Sequence, residues 1–217
     1  MGNHSGEVSI PTGKETIKGN LEVPPGARAI VLFAHGSGSG RFSPRNTYVA
    51  RLMNAQGMGT LLVDLLTSGE EEVDEQTAQY RFDVDLLARR LIDATMWLKQ
   101  NSVTKNLVVG YFGASTGAAA ALIAAAKLPD YVKAVVSRGG RPDLAADHLP
   151  EVKAPTLLIV GGNDFEVLEM NKDALKLIRV EKKLEIVAGA THLFEESGTL
   201  QKAASLAINW FAKHLYA

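Results

Sequence analysis

Five short apolar runs limit what this chain can fold into. Ala29–Ala34 is uninterrupted, and Thr60–Leu65, Leu107–Phe112, Val132–Ser137 and Thr156–Gly161 repeat the pattern. A strand apolar on both faces must be covered on both faces, which is the situation inside a parallel sheet flanked by helices. The intervening segments supply those helices: Arg45–Gln56, Arg81–Gln100, Ser115–Lys127, Val167–Ile178 and Leu200–Leu215. In Arg81–Gln100 the residues Phe82, Leu86, Leu87, Leu91, Ile92, Thr95 and Leu98 recur at helical spacing. Glu7–Ile10 and Thr16–Val23, separated by Pro11, Thr12 and Gly13, read as an opening hairpin, and Leu184–Val187 as a last strand at an open edge. Alternation of this kind predicts a three-layer α/β/α domain on a mainly parallel sheet. With 217 residues and 46% hydrophobic content the chain reads as a single domain, 1–217. Asp143–Lys153 is too brief to form a lid domain.

Composition removes several functions. A net charge of −1 gives no electrostatic reason to expect nucleic acid or an anionic membrane as partner. Without cysteine there are no disulfides, thiolate nucleophiles or thiolate metal sites, in keeping with a cytoplasmic location. The opening residues lack the basic region and apolar run of a secretory signal, and Gly117–Lys127 is too short to cross a bilayer. No metal-ligand spacing occurs, and Gly36–Gly40 lacks the lysine of a phosphate-binding loop, so neither metal nor cofactor is expected. The assembly is expected to be a monomer or homodimer.

In open α/β sheets reactive groups gather at the carboxyl ends of strands. Four such ends carry, in order, the turn His35-Gly36-Ser37-Gly38, the turn Gly113-Ala114-Ser115-Thr116-Gly117, Gly162-Asn163-Asp164, and Ala190-Thr191-His192. A serine on a tight strand-to-helix turn presents its hydroxyl above the sheet, but needs a base to remove its proton. A histidine near neutrality is the natural base, and a carboxylate on its second nitrogen fixes its tautomer. Ser115, His192 and Asp164 are therefore the candidate nucleophile, base and acid, with Glu166 or Glu169 as alternative acids and His148 as a weaker rival base. The Thr116 N–H and either the Ser37 or the Gly38 N–H are the expected oxyanion donors. Asp164 would otherwise cap a helix, and His35 would order its turn.

These motifs together resemble the α/β-hydrolase superfamily, and within it the small dienelactone-hydrolase-like group. The resemblance spans nearly the whole chain. It implies an eight-stranded sheet with an antiparallel second strand, and hydrolysis of a small-molecule ester or lactone. One departure stands out: dienelactone hydrolases use a cysteine nucleophile where this chain offers Ser115. Acyl transfer or perhydrolysis through the same acyl-enzyme, and a non-catalytic binding role, are the other readings. Arg41, Arg45, Arg138 and Arg141 also sit at strand ends, and Arg41, Arg138 and Arg141 are candidate substrate contacts. The competing reading has at least two of these arginines simply holding loops, paired with Asp143, Asp147 or backbone carbonyls. The acidic stretch Glu70–Glu75 reads as a solvated loop ahead of a helix.

Overall fold

A computed structural model describes residues 2–216. It holds one eight-stranded sheet in the order β1-β2-β4-β3-β5-β6-β7-β8. The strands are β1 (His4–Thr12), β2 (Glu15–Val23), β3 (Ala29–Ala34), β4 (Gly59–Val63), β5 (Val108–Ala114), β6 (Val132–Arg138), β7 (Thr156–Gly161) and β8 (Lys182–Val187). β2 runs antiparallel to both β1 and β4, and β3 to β8 are parallel. This is the α/β-hydrolase architecture that the motifs imply.

Helices α1 (Pro44–Ala55) and α6 (Thr199–Leu215) bury their apolar sides against one face. On the other face lie α3 (Val84–Gln100), α4 (Thr116–Lys127) and α5 (Phe165–Leu177). Each face carries its own apolar core, which is why the central strands must be apolar on both sides. Alanine is the strongest helix former and the smallest residue able to hold a helix together. The run Ala118–Ala121 therefore lets α4 lie close to the sheet, and all four of those alanines are fully buried.

Strand order reverses between β3 and β5. The chain leaves β3 for α1 on one face and leaves β5 for α4 on the other, opening a crevice between the two turns. Closure of that crevice depends on Gly117. A Cβ there would lie 2.3 Å from the carbonyl oxygens of both Ala34 and His35. Those are backbone atoms and cannot rotate away. Gly117→Ala is expected to cost about 3 kcal/mol of stability through overpacking, read as a lower denaturant midpoint. Gly69→Ala, at an open position, should leave the midpoint unchanged or raise it slightly.

The acidic stretch departs from expectation. It is not a loop but the helix α2 (Ser68–Thr77). Thr67 and Glu70 form a reciprocal capping box that satisfies the first free amides. Asp74 is buried and accepts bonds from Tyr80 N–H at 2.7 Å, Arg81 N–H at 2.9 Å and Arg81 Nε at 2.7 Å. A charge-rich segment thus folds because one of its carboxylates is fully paired. A 3-10 helix, Pro142–Glu151, fills the stretch after β6.

Candidate active site

Ser115 joins β5 to α4 with φ 51° and ψ −124°, a conformation that a residue with a side chain adopts only under constraint. The constraint is visible. Its N–H donates to Arg138 O at 3.4 Å, and its own carbonyl accepts from Ala118 N–H at 3.0 Å and Arg141 N–H at 3.1 Å. On the β3 side Gly36 leaves room for it, since a Cβ at that position would come within 2.9 Å of the serine Cβ. The turn is held from two neighbouring strands at once.

Asp164 opens α5 at the end of β7, yet its side chain makes no capping bond. Its Oδ2 lies instead 2.7 Å from His192 Nδ1. The carboxylate side chain is 14% exposed and the imidazole 39% exposed, so the pair is partly shielded and His192 remains open to the crevice. Nδ1 is thereby committed to the carboxylate, which leaves Nε2 as the nitrogen able to accept a proton. Among the described residues no hydrogen bond joins Ser115 Oγ to His192. The imidazole loop is well tethered. Thr191 donates to Glu196 through N–H at 3.1 Å and Oγ1 at 2.6 Å, and Asn163 N–H donates to Ala190 O at 2.9 Å. Phe194, buried and at φ 57°, anchors its far side. The alternative acids are placed differently: Glu169 pairs with Lys172 at 2.6 Å, and neither it nor Glu166 bonds His192. His148 lies in the 3-10 helix and does not line the crevice.

Ser37 and Thr116 face each other across the switch point, their hydroxyl oxygens 3.1 Å apart. Among the described residues neither amide finds a backbone acceptor. Gly38, at φ 66°, turns the chain immediately after Ser37. Two unspent N–H groups flanking a serine are what a developing oxyanion requires. His35 has a different task. Its Nδ1 donates to Gly36 O and its Nε2 accepts from Leu65 N–H, both at 2.9 Å. Burial holds its pKa below the ordinary 6.5, against the opposing pull of the Gly36 carbonyl and Asp64. It is a neutral brace for the turn.

The arginines divide. Arg41 pairs with Asp64 and with Glu7, the latter at 2.8 Å, and Arg141 donates to both oxygens of Asp143 at 2.9 and 2.7 Å. Both are held by carboxylates. Arg138 lines the same small cleft as Ser115 and His192, of about 190 Å³, together with Ser43, Arg45 and Asn46. Spacing alone does not separate these cases, because the partner of Arg41 lies 23 residues away on another strand end. A second hollow of about 280 Å³ lies beyond Ser37 and Thr116, lined by Asp64, Glu71, Asp74 and Glu75. Among the described residues no group of three or more histidine or carboxylate side chains is placed to hold a metal ion. No described helix is long and apolar enough to cross a membrane.

Comparison with known proteins agrees with this fold. The model of the dienelactone hydrolase family matches residues 17–215. A crystal structure of a dienelactone hydrolase from Anabaena variabilis is 57% identical, covers 99% of this chain and 100% of its own, and superposes with a TM-score of 0.97. Est1E from Butyrivibrio proteoclasticus, at 15% identity and a TM-score of 0.78, covers 96% of this chain and all of its own, and shares the fold. Two proteins from strains of Mycobacterium tuberculosis, named provisionally as phosphoribosyl transferases, are 56% identical over 209 residues. That match takes in 96% of this chain and 46% of theirs, so the chain spans under half the length of those relatives. From residue 17 to 215, in sequence as in topology, the chain belongs to the dienelactone hydrolase family.

Proposed function

We propose that the protein is a serine hydrolase that cleaves small carboxylic esters or lactones through an acyl-enzyme. The observation that carries this reading is the 2.7 Å contact between His192 Nδ1 and Asp164 Oδ2, in the cleft beneath which Ser115 sits on its strained turn. In the first half-reaction His192 Nε2 takes the Ser115 proton as Oγ adds to the substrate carbonyl. The Asp164 carboxylate stabilises the imidazolium that forms. The amides of Thr116 and Ser37 receive the oxyanion, with Gly38 as the alternative donor. Collapse of the tetrahedral species expels the alkoxide, which takes the proton from His192. Water then repeats the sequence on the acyl-enzyme, with His192 as base and then acid, releasing the acid and restoring Ser115. Ser115 supplies an alcohol nucleophile, which needs the base more than a thiol does.

The phosphoribosyl transferase name attaches to proteins of which this chain matches less than half. The matched part holds the Ser115, His192 and Asp164 arrangement, and that arrangement supports acyl chemistry. A fluorophosphonate probe tests the reading. Mass spectrometry is expected to find the adduct on the peptide that contains Ser115, with labelling slowed when His192 is replaced by alanine. An adduct elsewhere, or none, sinks the assignment.

A further inference from the structure

Asn171, on α5, is fully buried, and its amide is only partly satisfied. Its Nδ2 donates to Val167 O at 2.7 Å, one turn back, and to Gly140 O at 3.0 Å in the loop after β6. Among the described residues its Oδ1 finds no partner. A leucine of similar volume would fill the space without an orphaned oxygen, so the amide sits there against a penalty. Val167 O already has the helix's own N–H as partner. What the amide adds is its hold on Gly140.

Gly140 matters because of its neighbours. The loop 138–141 contains two successive glycines, with Gly139 at φ 51°, and such a pair cannot fix its own conformation. Yet its ends clamp the nucleophile turn: Ser115 N–H donates to Arg138 O, and Arg141 N–H donates to Ser115 O. Its middle runs beside the base, since a Cβ on Gly139 would come 3.2 Å from His192 O and 3.6 Å from His192 Nδ1. Two bonds from outside hold that middle, Gly139 N–H to Ile159 O at 2.8 Å and Asn171 Nδ2 to Gly140 O. Asp164 and Asn171 are two helical turns apart, about 10 Å, which puts them on one side of α5. One helix therefore carries both the carboxylate that meets His192 and the amide that holds the loop behind Ser115.

We propose that Asn171 is a positioning residue: through Gly140 it fixes the placement of the Ser115 turn relative to the Asp164–His192 pair. The inference rests on the serine-hydrolase reading and deepens it. Asn171 touches no substrate. It acts by keeping the Ser115 hydroxyl where His192 Nε2 can take its proton, and an error of about 1 Å in such a placement costs about 100-fold in rate.

Asn171→Leu is expected to lower kcat on a short ester by about 10–100-fold, with KM within about twofold, measured well below the melting temperature of the variant. Asn171→Asp keeps the shape but turns acceptors toward the Gly140 carbonyl, and should lose as much. Should Asn171→Leu not fold, Asn171→Ser, whose shorter side chain is expected to keep the Val167 bond and lose the Gly140 one, should show the same loss. A role in stability alone would lower the melting temperature and leave kcat near wild type. The discriminating measurement is made in the Asp164→Asn background, where His192 is no longer aligned and accurate placement of Ser115 counts for less. There Asn171→Leu should cost less than about threefold, whereas a fault spread through the fold would cost the same factor in both backgrounds. A kcat for Asn171→Leu within about threefold of wild type, or equal losses in both backgrounds, overturns the positioning role and leaves the hydrolase reading intact. A wild-type protein that turns over no short ester and takes no fluorophosphonate at Ser115 defeats the hydrolase reading, and this role with it.

Discussion

Replacing Ser115 by alanine is expected to lower kcat on a short ester by about 10⁶-fold, the loss seen when a nucleophile that works as one unit with its base is removed. The fold should be unaffected. Alanine has a Cβ as serine does, so it meets the same φ of 51° and fits the same space beside Gly36. The melting temperature of the variant should therefore match the wild type, and any residual turnover reflects the oxyanion amides and binding alone. Activity kept within tenfold would move the nucleophile to Ser37, Ser39 or Ser43, whose hydroxyls also line the cleft.

Asp164→Asn is the second large effect, about 10⁴-fold in kcat. Asparagine is nearly the same size and can sit in the same place, but its amide offers no charge to the imidazolium and can orient the wrong tautomer. Since the Asp164 side chain makes no capping bond to α5, the helix loses nothing by the change. The measurement is turnover beside circular dichroism. A loss of only a few-fold with an intact spectrum would return the acid to Glu166 or Glu169. Nothing in the present geometry favours them, as His192 Nδ1 is already spent on Asp164.

How much of this the sequence discloses depends on the kind of feature. The central strands are legible because burial on both faces leaves a continuous apolar signature. Ala29–Ala34 and Thr156–Gly161 coincide with β3 and β7 to the residue. The outer strand β1 extends three residues before and two beyond its apolar alternation, since an exposed strand leaves a weaker trace. Helix α2 is hidden for another reason. Its stability comes from a capping box and from Asp74 meeting Arg81, and neither gives apolar periodicity. Within the site, order along the chain suffices to nominate Ser115, Asp164 and His192, because fold topology converts that order into proximity. The arginines resist such reading. Whether a guanidinium is free depends on carboxylates from other strands, and only the assembled sheet shows that Arg41 and Arg141 are taken while Arg138 is not.

The position of β8 has a consequence for how this protein fails. It is the last strand of the sheet, paired on one side only, with most of its residues at least partly exposed. The loop that carries His192 departs from it. Edges of this kind open locally at free energies well below that of global unfolding. On warming, the imidazole can thus drift from Asp164 while β3, β5 and α4 are still packed around Ser115. Under the proposed mechanism, turnover should therefore be lost at a lower temperature than that at which the core melts, the first set by the margin of the sheet and the second by its centre.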